Sequence, residues 1–294
     1  MKNSPSFTMT DFTKTFNKIA THKHRYSVFT DFVTMSAISL HNAVYKKESL
    51  ESEYLEIVAQ YAKTDIDHFC KLLGILIELL EPEPRDILGV LCMELELGND
   101  LNGQYFTPPD ISKMMAKISS VDLIEKLGTS EQPFITLSEP ACGAGGMVLA
   151  FVNEIIESGY DPAKKLWVQC IDIDRTAALM CYVQLSLWNV PAEIIVGNTL
   201  SLEFREFFYT PAYYMNNWQM KLEHKQYQAA LKSTLALEEE SEPTDIKTEI
   251  KTEKNNAQLL TKTQRLIAVK MFGIQLSDAK KETQSDKQDT LFDL

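Results

Sequence analysis

No two of the five cysteines (Cys70, Cys92, Cys142, Cys170 and Cys181) form a CxxC pair, and none has a histidine at metal-ligand spacing. The sequence therefore indicates neither a zinc site nor a disulfide framework; free thiols and no metal are expected. Long apolar runs are missing as well. The longest, Leu72 to Leu80, is broken by Gly74 and Glu78 and is too short to span a bilayer, and the opening MKNSPSFTMTDF has no apolar leader, so a cytoplasmic protein is expected. Basic residues are in short supply: the net charge is −12, and residues 1–220 hold 17 basic against 28 acidic side chains, a net of −11. That balance excludes broad, autonomous nucleic-acid binding driven by phosphate neutralisation. Glycine is scarce too, with 11 in 294 residues, yet Gly143, Gly145 and Gly146 fall within four positions. Such crowding marks a tight turn or the close approach of another molecule to the main chain.

What is present divides the chain. Apolar positions at three- and four-residue spacing, among them Phe29, Phe32 and Val33, then Tyr54, Leu55, Val58, Tyr61 and Ala62, predict a helical N-terminal domain over 1–100. EPEPRD (81–86) breaks that series before a helix at 87–97. Residues 101–220 read differently. Thr107 as N-cap, Pro108 and Asp110 predict a helix over 108–118, directly behind the aromatic pair Tyr105 and Phe106. Three short apolar segments then alternate with helices: 134–137, a helix over 146–158, 166–171, a helix over 175–188, and 192–196. Strand, helix, strand, helix, strand predicts a parallel, doubly wound α/β sheet. Beyond it the sequence predicts a helix over 221–237 (its pattern starting near 216), a charged linker over 238–256, a helix over 257–276 and a flexible tail over 277–294.

The glycines follow an apolar segment and precede a helix, in ITLSEPACGAGGMV (135–148). That places a ligand site at the carboxyl edge of a parallel sheet, with backbone amides and a helix N-terminus facing the ligand. An acid stands at the first two strand ends, Glu139 and Asp172, the second suited to ribose hydroxyls. The glycine order is neither the GxGxxG of dinucleotide enzymes nor a P-loop, which needs a following Lys-Ser/Thr.

EPACGAGG instead resembles the S-adenosylmethionine motif of the N6-adenine DNA methyltransferases. GQYFTP (103–108), IDID (171–174) and GNTL (197–200) resemble three further motifs of that family, in family order, as found in the modification subunits of type I restriction-modification systems. The resemblance implies an abbreviated Rossmann-like methyltransferase sheet with S-adenosylmethionine as cofactor. It implies that Tyr105, Phe106 and Thr107 line the methionyl end, that Glu139, Pro140, Gly143 and Gly145 hold the amino-acid group, that Asp172 grips the ribose, and that Asn198 faces the adenine.

The family's catalytic Asn/Asp-Pro-Pro-Tyr/Phe supplies acceptors for the target amine and a ring that stacks on a flipped base. Its counterpart here is YTPAYY (209–214), which assigns the catalytic role to Thr210, Pro211 and Tyr213, with Thr in place of the acceptor and Ala212 in place of the second proline. The reading is an N6-adenine DNA methyltransferase, with DNA recognition through a partner. Two alternatives stay open, an inactive cofactor-binding relative that acts as an interaction protein, and a protein-glutamine methyltransferase. At the terminus, Gln288, Leu291 and Phe292 resemble the Gln-x-x-Leu-Phe peptide that docks bacterial proteins on the β sliding clamp, an expected partner able to carry an acidic chain to DNA.

Overall fold

A computed structural model describes residues 7–95, 107–129 and 132–239; Tyr105, Phe106, Gln288, Leu291 and Phe292 lie outside them. Five helices come first: α1 (Met9–Phe16), α2 (Arg25–Asn42), α3 (Glu48–Val58), α4 (Lys63–Leu80) and α5 (Ile87–Glu94). Their sequence reasons are local. Thr8 and Asp11 form a reciprocal capping box on α1. In α4, Phe69, Leu72, Ile75, Leu76 and Leu79 repeat at helical spacing and are all buried. The Asp86 side chain caps α5 by accepting from the Gly89 amide at 2.7 Å.

Next come α6 (Pro109–Glu125), β1 (Ile135–Glu139), α7 (Gly146–Glu157), α8 (Pro162–Lys165), β2 (Leu166–Asp172), α9 (Arg175–Leu187), β3 (Ala192–Asn198), β4 (Glu203–Tyr209), α10 (Pro211–Met215) and α11 (Trp218–Glu239). The sheet order is β1-β2-β3-β4, the first three parallel and β4 antiparallel to β3. Each predicted strand is present within two residues of its expected ends. β4 is an addition to the expected strands, although EFREFFY carries the aromatic bias of one.

Two features of the architecture position the strand ends. Strand order follows chain order without reversal, and right-handed crossovers that advance in one direction put their helices on one face. Accordingly α7 and α9 adjoin, Gly145 at the start of α7 standing against Cys181 of α9. Among the described residues the two crossover helices thus share one face of the sheet, and α10 and α11 lie against the other. The fully buried Leu166, Val168 and Cys170 of β2 look toward those helices, while Trp167 on the opposite face is covered by Tyr213 and Trp218.

The second feature concerns the stretch around residue 100. The chain divides into units Met1–Gln219 and Met220–Leu294, and the N-terminal helices share one core with the sheet: α2 packs on α9, with His41 of α2 edge-on to Phe208 of β4. Arg175, at the start of α9, pairs with Glu53 of α3 at 2.9 Å and Glu206 of β4 at 2.8 Å. The helical layer is thus pinned to the sheet by a partly buried cation. The described part of the second unit belongs to α11, and no helix of the described residues is long and apolar enough to cross a membrane.

Candidate cofactor site at the strand ends

The carboxyl ends of β1, β2 and β3 carry Glu139, Asp172 and Asn198 to one edge of the sheet. Between Glu139 and α7 the chain makes the glycine turn. Gly143 and Gly145 have φ of +52° and +92°, the left-handed region that a side chain resists. At Gly145 a Cβ would also stand 2.9 Å from the Cys181 sulfur. The turn is bonded to the end of β2 twice: the Cys142 amide donates to the Ile171 carbonyl at 2.9 Å, and the Gly143 amide donates to Asp172 Oδ2 at 2.8 Å. Gly145 then serves as N-cap of α7 without a side-chain cap, so the positive end of that helix lies in the turn.

The IDID segment divides its labour. Asp172 Oδ1 accepts the Asp174 amide at 2.9 Å, so both carboxylate oxygens already hold backbone. Asp174 caps α9, accepting from Thr176 at 2.7 Å and Ala177 at 3.1 Å. Burial pushes the Asp172 carboxyl above its ordinary value, against the opposing pull of those amide bonds. Burial also raises Glu139, whose Oε1 accepts the Ala141 amide at 3.2 Å, while the Asp172 charge adds to the rise. At the third strand end Asn198 Oδ1 caps its own turn, accepting from Leu200 and Ser201. The next residue, Thr199, donates to the Pro140 carbonyl at 2.7 Å and so joins the third strand's turn to the first.

Sequence reasoning missed Gln184, the residue beneath this edge. Wholly buried on α9, it donates to the Ala144 carbonyl at 2.8 Å and to Asp86 Oδ1 at 3.0 Å, and accepts from the amides of Ile87 and Leu88 at 2.7 and 3.1 Å. Its carboxamide locks the glycine turn to the N-terminus of α5. The one signal in the chain was a lone polar amide inside the apolar stretch LMCYVQL. Thr107 does not cap α6 as expected; Pro108 occupies the N-cap and the helix starts one residue later. Thr107 instead borders a cavity of about 580 Å³ shared with Asp86, Ser112 and Gly146, which brings it beside the amino end of α7.

The predicted catalytic residues are not brought to this edge. β4 turns back along β3, so Tyr209 pairs with Glu193 and Thr210 reaches Ala192, the first residue of β3. Asn198 lies six residues further on, about 20 Å at ~3.3 Å per residue. Thr210 is wholly buried, its hydroxyl donating to the Val190 carbonyl at 2.7 Å and accepting from the Ala192 amide at 2.9 Å. Pro211 opens α10, and Tyr213 stacks on Tyr209 with ring centroids 4.5 Å apart. The three residues lie at the far end of the sheet from Asn198. The antiparallel return is the physical reason, since it carries everything after Asn198 away from the strand ends.

No curated protein matches the chain. A solved structure from Listeria monocytogenes, assigned to the class I S-adenosylmethionine-dependent methyltransferases, is similar at 14% identity, over 63% of this chain and 51% of that one, with a TM-score of 0.32. The chain thus spans about half the length of that structure. Residues 96–233 match the family model described as N-6 DNA Methylase, which implies S-adenosylmethionine as cofactor. The matched stretch, 96–233, contains all four motifs.

Proposed function

We propose that the chain binds S-adenosylmethionine at the carboxyl edge of β1–β3 and serves N6-adenine methylation of DNA, with a partner recognising the DNA. The observation that carries this reading is the bonded unit of Gly143, Asp172 and the uncapped start of α7. Its donor set fits the cofactor. The amides at the start of α7 suit a carboxylate, Glu139 suits an ammonium, and each oxygen of Asp172 keeps a lone pair for a ribose hydroxyl beside the amide it accepts. Glu139, Pro140, Gly143 and Gly145 would hold the amino-acid end, Asp172 the ribose and Asn198 the adenine, with Thr107 near the methionyl tail. When bound, the cofactor supplies an electrophilic methyl group. The chain's own residues fix its orientation; an acidic protein gains little from DNA phosphates, which is why recognition is assigned to a partner. The β sliding clamp, engaged through Gln288, Leu291 and Phe292, is the proposed carrier to DNA.

A second reading, an interaction protein that binds the cofactor and transfers nothing, is favoured by the hydrogen bonds that occupy the Thr210 hydroxyl. One experiment separates the two: incubation with methyl-labelled S-adenosylmethionine and mixed double-stranded DNA, with and without clamp. Label in N6-methyladenine supports the enzyme; cofactor binding without label under every condition supports the interaction protein.

A further inference from the structure

Three of the five cysteines converge. Cys142 comes from the turn after β1, Cys170 from β2 and Cys181 from α9, and their sulfurs lie within 4.8 Å of one another. All three are buried, Cys170 and Cys181 completely, and all are free thiols. We infer that these sulfurs form a binding site for one monovalent copper ion beneath the glycine turn.

Geometry comes first. An ion in the plane of three sulfurs at ~2.3 Å from each needs them about 4.0 Å apart, which the cluster meets with small shifts. Ligand type and number select the ion. Thiols are soft donors that choose copper(I) or zinc. Zinc completes a tetrahedron in structural sites, but the ligand group found among the described residues offers three atoms. On uptake each sulfur binds as its thiolate, the thiol proton leaving to solvent as its copper–thiolate bond forms. No electron is transferred, and the copper stays monovalent. The site also adjoins the cofactor turn through the main chain, since the Cys142 carbonyl accepts the Gly145 amide at 2.8 Å.

The test uses the reduced full-length chain under anaerobic conditions, titrated with copper(I) in competition with bathocuproine disulfonate. The expected result is one copper held per chain, a first shell of three sulfurs in X-ray absorption, and loss of that copper in Cys142→Ser and in Cys181→Ser, whereas Cys70→Ser retains it. The X-ray absorption measurement needs only the wild type, so a variant that fails to fold leaves the assignment testable. Absence of uptake by the folded wild type, a shell with oxygen or nitrogen in place of sulfur, or uptake that survives in folded variants of all three cysteines would overturn it and reduce the cluster to core packing. Preferential retention of zinc(II) would overturn the choice of ion.

Discussion

Replacing Asp172 by Ala removes the carboxylate that accepts Gly143 at 2.8 Å and Asp174 at 2.9 Å. A hydrogen bond to a charged group contributes ~1.5–3 kcal/mol. Asp172 is only half-buried and its carboxylate carries a burial penalty, so the lower figure applies to each bond, giving a loss of about 3 kcal/mol for the pair. For a unit of this size 1 kcal/mol is worth ~2–4 °C, and the melting temperature should fall by about 6–12 °C. Asp172→Asn keeps one acceptor oxygen and should lose about half as much. Thermal melts followed by circular dichroism measure the stability, and calorimetry with S-adenosylmethionine, well below the lowered midpoint, measures binding. The Asp172→Ala variant should be folded at that temperature and fail to bind. A variant that melts within a degree or two of the wild type would refute the claim that Asp172 holds the turn, and one that binds normally would remove the ribose assignment.

Replacing Gln184 by Leu leaves the amides of Ile87 and Leu88 and the Ala144 carbonyl buried without their partner; the expected loss of about 3–5 kcal/mol is read from urea midpoints, and cofactor affinity falls with it because the glycine turn loosens. Thr210→Val keeps the shape of a buried side chain but forfeits its bonds to Val190 and Ala192, costing about 1–3 kcal/mol. Its cofactor affinity should be unchanged, and an equal fall in affinity would place Thr210 at the site after all. The pH dependence has a definite sign. Glu139 and Asp172 have folded-state values raised above 4.5 and 3.8. Each therefore costs stability while ionised, a cost that disappears as the pH falls through the raised value. Cofactor binding that needs both carboxylates must weaken over that same fall. Calorimetric affinities taken across the acid range should show this limb in the wild type and a shallower one in Asp172→Asn.

The upper edge of the sheet was legible because each strand there is a short apolar run that ends in a polar residue, and because Gly143 and Gly145 adopt backbone that few other residues tolerate. The lower edge was not. EFREFFYTPAYY keeps the residue order of a strand followed by a catalytic loop, and nothing in that order says whether the strand crosses over to lie parallel or folds straight back. The short turn through Asn198, with Leu202 at φ +58°, goes with folding back and with a Thr210 hydroxyl buried among Val190 and Ala192. Convergence of residues far apart in sequence was equally hidden. Positions 142, 170 and 181 have no spacing that signals a cluster, and Gln184 reaches Asp86 across 98 residues. The helical N-terminus was recognisable as such, but the packing of α2 on α9, which merges it with the sheet, depends on tertiary fit that periodicity does not encode.

The most direct test of the central claim is a calorimetric titration of the wild-type chain with S-adenosylmethionine. The account predicts one equivalent bound per chain, with binding lost in a folded Asp172→Ala variant. Absence of binding by the folded wild type, or undiminished binding by that variant, would contradict the assignment of the strand ends as the cofactor site.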